Sequence, residues 1–263
     1  MTAQAWNVLV LAAGRGPGDP MAKAYQVTHK CLVEIDGEPM LAWVIRTLLS
    51  YPAIRSISVS IETRALLDEA LGALARKVEF LTPQESAARS ALAAVTAGAQ
   101  FPWLITTGDH PLLTTDMLQY FLAEATRSGA DLSVGLATAE TILARFPEAK
   151  RTFLKFGNDR VSGCNLFALT SAEAMKALAF WHHLEGVRKR PWRLVGAFGP
   201  LALLRFATGM LTLDSAFALA SHRLDVTARP VLMPFAEAAV DVDKPEDKEL
   251  AEKIFRERKL LPA

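Results

Sequence analysis

Cysteine is scarce: Cys31 and Cys164 are the two in 263 residues, with no CxxC or Cys/His cluster. That excludes a disulfide framework and a structural zinc site, and it suits a reducing cytoplasmic location. An excess of charge of one sign is missing too. With 29 basic and 28 acidic residues the net charge is +1, so no broad nucleic-acid-binding face is expected. Apolar runs of membrane length are also lacking. The longest candidate, within RKRPWRLVGAFGPLALLRFATGML, is interrupted by Gly196, Gly199, Pro200 and Arg205, whereas a transmembrane helix wants roughly 20 mainly apolar residues. It reads as helices packed on the second half. Peripheral contact with an anionic bilayer through 188–211, carried by Arg188, Lys189, Arg190, Arg193 and Trp192, is the second reading. The opening MTAQAWNVLVLAAG has no basic n-region and a short, β-like apolar run, so it reads as a core strand rather than a signal peptide. There is no internal repeat and no low-complexity linker.

What is present is a folded, apolar-rich chain, 51% hydrophobic and 22% charged, long enough for one large α/β domain. Strand-length apolar segments at 7–12, 54–60, 78–81, 103–107 and 132–137 alternate with helix-period segments at 39–50, 66–76, 86–98 and 115–128. This βαβ rhythm predicts a mostly parallel twisted sheet flanked by helices, with ligands beyond the carboxyl ends of the strands. After about residue 138 the pattern changes to a hairpin, 152–156 and 161–169 around Gly157-Asn158-Asp159, then helices and a late strand at 229–233. The second half reads as an α+β lobe grafted on the first sheet, with the chain remaining a single domain.

The first strand runs directly into GRGPGDPMAKAYQVTHK. Gly14, Gly16 and Gly18 lack a Cβ, which lets a loop turn its amides toward phosphate oxygens, and Lys23 and Lys30 supply counter-charge. The glycine spacing is neither GxGxxG nor GxxxxGK[ST], against a Rossmann dehydrogenase and a P-loop ATPase. Asp109, in TTGDHPLL, follows a strand and belongs on the same rim; a turn or capping role before Pro111 is the alternative. Asp241 and Asp243, in AVDVDKPED, lie where an apolar strand is expected to end and Pro245 to open the last helix. Only one of the two is expected to face the site. Two such carboxylates opposite a triphosphate suffice for Mg²⁺ or Mn²⁺. Asp247 reads as first-turn helix dressing.

LAAGRG, HKCLVEIDGEPML, TTGDHPLL and DVDKPED, in that order, resemble the MobA-like nucleotidyltransferases, relatives of the sugar-phosphate and polyol-phosphate nucleotidylyltransferases. The resemblance implies a GT-A-like fold and Mg²⁺-dependent transfer of an NMP group from an NTP to a phosphorylated sugar, polyol or cofactor, releasing pyrophosphate. On that pattern 1–137 forms the NTP-binding half, and 138–263 forms the acceptor lobe with the closing strand and C-terminal helix. Lys30 inherits the signature lysine role and Asp109 the metal-binding aspartate, with Asp243 as second ligand and Asp241 in reserve. Leu11, Ala12, Ala13, Gly14, Arg15, Gly16, Lys23 and Lys30 fall on the nucleotide, with Arg15 or Lys23 covering the β- and γ-phosphates. Asn165 falls on the acceptor pocket. The chain departs from the pattern at His29, where the family has proline, and at Asp19-Pro20, which precede Met21 where an arginine is expected.

Pro83, Gln84 and Ser86 are placed to meet a base edge, with Arg89 available for phosphate; helix capping by Ser86 and a solvated Arg89 is the competing reading. Cys164, Met175 and Met210 read as core packing. His29 and His110 need no catalytic role, and His182, His183 and His222 read as surface or packed residues. Two rival functions stay open: a GT-A glycosyltransferase, because Asp241-Val242-Asp243 is literally DxD, and a catalytically quiet nucleotide-binding module.

Overall fold

The computed structural model describes residues 5–14, 16, 18–98, 100–148, 151–184, 192, 196 and 199–260. Among these the strands are β1 (Trp6–Leu11), β2 (Glu34–Ile35), β3 (Glu38–Pro39), β4 (Ile54–Ser60), β5 (Glu79–Leu81), β6 (Trp103–Thr107), β7 (Leu132–Thr138), β8 (Leu154–Phe156), β9 (Asp159–Leu169) and β10 (Ala228–Leu232). The helices are α1 (Pro20–Ala24), α2 (Met40–Ser50), α3 (Arg64–Leu71), α4 (Ala87–Gly98), α5 (Thr115–Ser128), α6 (Ala139–Arg145), α7 (Met175–Leu184), α8 (Pro200–Ala207), α9 (Leu213–Leu224) and α10 (Pro245–Leu260).

In β1, Val8, Leu9 and Val10 are fully buried, which requires cover on both faces of the sheet. Each contributes about 1.5–3 kcal/mol of apolar burial. β1 accordingly lies inside the sheet, parallel to β4 on one side and β6 on the other, and β5 continues parallel to β4. The sheet order is β10-β7-β9-β6-β1-β4-β5, with β8 paired to β9. The long β9 is the antiparallel element, pairing with β6, β7 and β8, so the sheet is mixed but mostly parallel. A strand from the second half thus lies between β6 and β7.

The helices follow from their stripes. α2 buries Met40, Leu41, Val44, Ile45 and Leu48, the spacing of one helical face. α5 starts at Thr114, whose hydroxyl accepts from Met117 N–H, and ends at Gly129 in the left-handed region. Before α2, Asp36 (φ 53°) and Gly37 (φ 85°) form the turn of the small β2–β3 hairpin, which is the structural content of IDGEP.

Three expectations need correction. The helix expected at 66–76 stops at Leu71, because Gly72 (φ 52°) breaks it and 3₁₀ turns run through Gly72–Lys77. The strand expected before Asp241 is a 3₁₀ turn, Ala236–Ala239, followed by extended backbone. Met210, expected in the core, is 64% exposed. Met175 does pack against the cluster around Leu9 and Trp103. Arg188, Lys189, Arg190 and Arg193 lie outside the described residues, and Trp192 is exposed. No helix among the described residues is long and apolar enough to cross a membrane.

Leu104 is fully buried in β6, whose end carries Asp109. Leu104→Ala is expected to lower unfolding free energy by about 2–5 kcal/mol, read by urea denaturation.

Candidate active site

β1, β4, β5 and β6 run parallel, so the segments that follow them meet on one rim. A cleft of about 440 Å³ opens there, walled by Leu11, Ala12, Ala13 and Gly14 after β1, by Lys30, by Gln84 and Ser86 after β5, and by Asp109 after β6. Asp19, Cys31, Ser60, Glu85, Ala87, Ser90 and Thr107 complete the wall.

Gly108 suits the close turn into Asp109, where a Cβ would crowd Leu41 Cδ1 at 3.0 Å and Ala12 Cβ at 3.1 Å. Lys30 opens a 3₁₀ turn, Lys30–Leu32, whose start is capped by His29: Cys31 N–H donates to His29 Nδ1 at 3.1 Å. The Lys30 ammonium is 2.6 Å from Asp109 Oδ2 and 2.6 Å from Asp243 Oδ1. Asp243 reaches this point because Val242 N–H donates to the Asp109 carbonyl at 2.9 Å, stitching the closing segment to the end of β6. Burial works against the charge of Lys30, but the Asp109 and Asp243 carboxylates outweigh it and raise the ammonium above its ordinary pKa.

Asp241 goes elsewhere. Its carboxylate pairs with Arg151 at 3.2 Å, and burial, with Asp109 and Asp243 nearby, raises its pKa. Asp247 accepts from Asp243 N–H at 3.1 Å and Lys244 N–H at 3.0 Å, which caps the entry to α10. His110 is fully enclosed, and burial lowers its imidazole to about 4, so it is neutral at neutral pH. Cys31 and Cys164 are buried free thiols; burial pushes Cys164 up to about 12, far from a nucleophile's range.

The remaining predicted residues are placed less centrally. Gly16 takes φ 77°, and Arg15 lies outside the described residues. Lys23 is exposed on α1, and Pro83 is half-buried in the loop after β5. Ser86 accepts from Arg89 N–H at 3.2 Å and also touches His182 Nδ1 at 3.2 Å. The exposed Arg89 pairs with Glu85 at 3.4 Å. Asn165, half-buried on β9, adopts φ 51° and is not on the cleft wall.

Sequence reasoning missed Glu62, which accepts from Gly14 N–H at 2.7 Å. Its position two residues beyond β4, at the carboxyl edge of a parallel strand, was the available signal. Asp19 was also missed; its Oδ1 accepts from Met21 N–H at 2.9 Å and Ala22 N–H at 3.2 Å, capping α1.

Residues 8–189 match the MobA-like NTP transferase domain. Among solved structures, a hypothetical transferase from Thermus thermophilus superposes with a TM-score of 0.77 and 28% identity, over 93% of this chain and 100% of that one. The 4-diphosphocytidyl-2C-methyl-D-erythritol synthase from Anaerococcus prevotii superposes with a TM-score of 0.57 and 11% identity, over 97% and 99% of the two chains. CMP:2-keto-3-deoxy-manno-octonic acid synthetase complexed with CTP gives 0.57 and 12%, over 97% and 99%. At those two lower identities the likeness is one of fold. No curated protein sequence matched the chain.

Asp19 is 3% exposed and holds α1 through two amides. Asp19→Ala is expected to cost about 1–2 kcal/mol by chemical denaturation, and Asp19→Asn, which keeps the capping oxygen, to recover most of it.

Proposed function

The chain belongs to the MobA-like NTP transferase family, and on that premise we propose that this nucleotidyltransferase uses its cleft to hold an NTP and pass the NMP group to a phosphorylated small molecule. Pyrophosphate leaves, and Mg²⁺ or Mn²⁺ is held by Asp109 and Asp243. The observation that carries the reading is the meeting of Lys30, Asp109 and Asp243 within 2.6 Å contacts at the edge of a cleft that Ala12, Ala13 and Gly14 also line.

The residues fit a hard divalent cation. Asp109 Oδ1 is buried and has no hydrogen-bond partner, a costly state for a carboxylate oxygen that a cation relieves. Among the described residues no cluster of three or more His, Cys, Asp and Glu forms an all-protein cage. Two carboxylates completed by substrate phosphates and water are what Mg²⁺ accepts. When bound, such an ion neutralises charge on the α-phosphate and polarises it.

The protein's own share is positioning and charge neutralisation. An oxygen of the acceptor phosphate attacks the α-phosphorus as the bond to the pyrophosphate oxygen breaks in line. Lys30 offers an ammonium kept protonated by its carboxylate neighbours, and the loop after β1 offers backbone amides to the phosphates. An acceptor phosphate is already ionised near pH 7, so no side chain need take a proton. The neutral, enclosed His110 is consistent with that. The polar wall from Gln84 to Ser90 suits a base edge, and Asn165 on β9 is proposed for the acceptor side. The DxD rival is disfavoured by geometry, since Asp241 turns to Arg151 while Asp243 turns to Lys30.

With CTP, GTP, UTP and ATP in turn, each with Mg²⁺, one nucleotide is expected to raise Tm by several degrees; saturation at 100 Kd is worth about 2.7 kcal/mol. Pyrophosphate release with that nucleotide and a phosphorylated acceptor is expected to fall roughly 100-fold or more in Asp109→Ala with the fold intact. Absence of pyrophosphate release would favour the catalytically quiet module. Lys30→Met removes the cation that neutralises Asp109 and Asp243, so Mn²⁺ binding without nucleotide, followed by electron paramagnetic resonance, is expected to tighten about tenfold.

A further inference from the structure

The departure from the family pattern at His29 coincides with a contact network that the reaction itself does not use. His29 is 7% exposed, and its Nδ1 accepts the Cys31 N–H, so the neutral ring carries its proton on Nε2. Nε2 lies 3.0 Å from Glu62 Oε2, off the hydrogen-bonding line, and Glu62 Oε1 accepts from Gly14 N–H at 2.7 Å. The imidazole also lies directly against Gly14, where a Cβ would come within 2.7 Å of His29 Nε2. One side chain therefore caps the turn that carries Lys30, and the other holds the first amide of the glycine loop. β1 and β4 bring the partners together: Ala12 N–H donates to the Ser60 carbonyl at 2.9 Å, which sets Glu62 beside Gly14.

We infer that His29 and Glu62 are positioning residues, a clamp that fixes the glycine loop relative to the Lys30 turn and so presets the triphosphate cradle. The clamp rests on the triphosphate reading of the cleft. It uses a carboxylate next to a site for anions, so the two roles Glu62 can have predict opposite signs. A carboxylate that merely repels phosphate would, on removal, tighten anion binding. A clamp residue would, on removal, weaken it.

Inorganic tripolyphosphate reads the cradle without commitment to base or acceptor. By titration calorimetry, Glu62→Ala is expected to weaken its binding about tenfold. Glu62→Gln, which keeps an oxygen for Gly14 N–H, should stay within about threefold of the parent. His29→Asn keeps an acceptor for Cys31 N–H but cannot span to Glu62, and is expected to weaken binding about threefold or more. Long-range ¹H–¹⁵N spectra of the parent protein, with the His29 signals assigned by their loss in His29→Asn, are expected to show the Nε2–H tautomer. Unchanged or tighter binding in folded Glu62→Ala, or an Nδ1–H tautomer, overturns the clamp. If Glu62→Ala does not fold, His29→Asn and the tautomer decide alone, and unchanged binding in His29→Asn overturns the clamp equally. Failure of the parent protein itself to bind tripolyphosphate would instead overturn the triphosphate reading.

Discussion

The site depends on one ammonium. Lys30 Nζ bonds to Asp109, 79 positions away, and to Asp243, 213 positions away, so three distant parts of the chain converge on a single point. Charges taken partly out of water are costly unless paired, and here the pairing forms where the Lys30 turn, the segment after β6 and the closing segment meet. Two carboxylates against one ammonium leave the trio with a formal charge of −1. That surplus negative charge gives a divalent cation a reason to bind.

The sheet explains why the convergence falls where it does. Parallel neighbours send their following loops to the same edge, and β6-β1-β4-β5 does so four times over. Gly108 permits the close turn into Asp109 under Ala12 and Leu41, and the Val242 N–H to Asp109 carbonyl bond locks the late segment against it. Beyond that lock Asp241 and Asp243 take different partners, one Arg151 and the other Lys30.

Much of this was legible in the sequence because the signals were local. β4, β6 and α5 occupy the residues their periodicity indicated, and the IDGEP turn has the positive φ angles that Asp-Gly supplies. Lys30, Asp109 and most of the predicted loop residues line one cleft. What stayed hidden depended on long-range packing. Nothing in the apolar pattern of β9 announces that it pairs between β6 and β7, and a helical stripe through 66–76 conceals the break that Gly72 imposes. The roles of Glu62 and Asp19 were harder to read for a related reason: each carboxylate serves backbone amides, a use that residue type alone does not reveal.

A crystal structure with Mn²⁺ and the nucleotide that most raises Tm tests the central claim most directly. The account predicts an anomalous peak between the carboxylates of Asp109 and Asp243, with the triphosphate lying along the loop after β1 and within reach of Lys30. A nucleotide bound away from that loop, or a peak that neither aspartate touches, would contradict it.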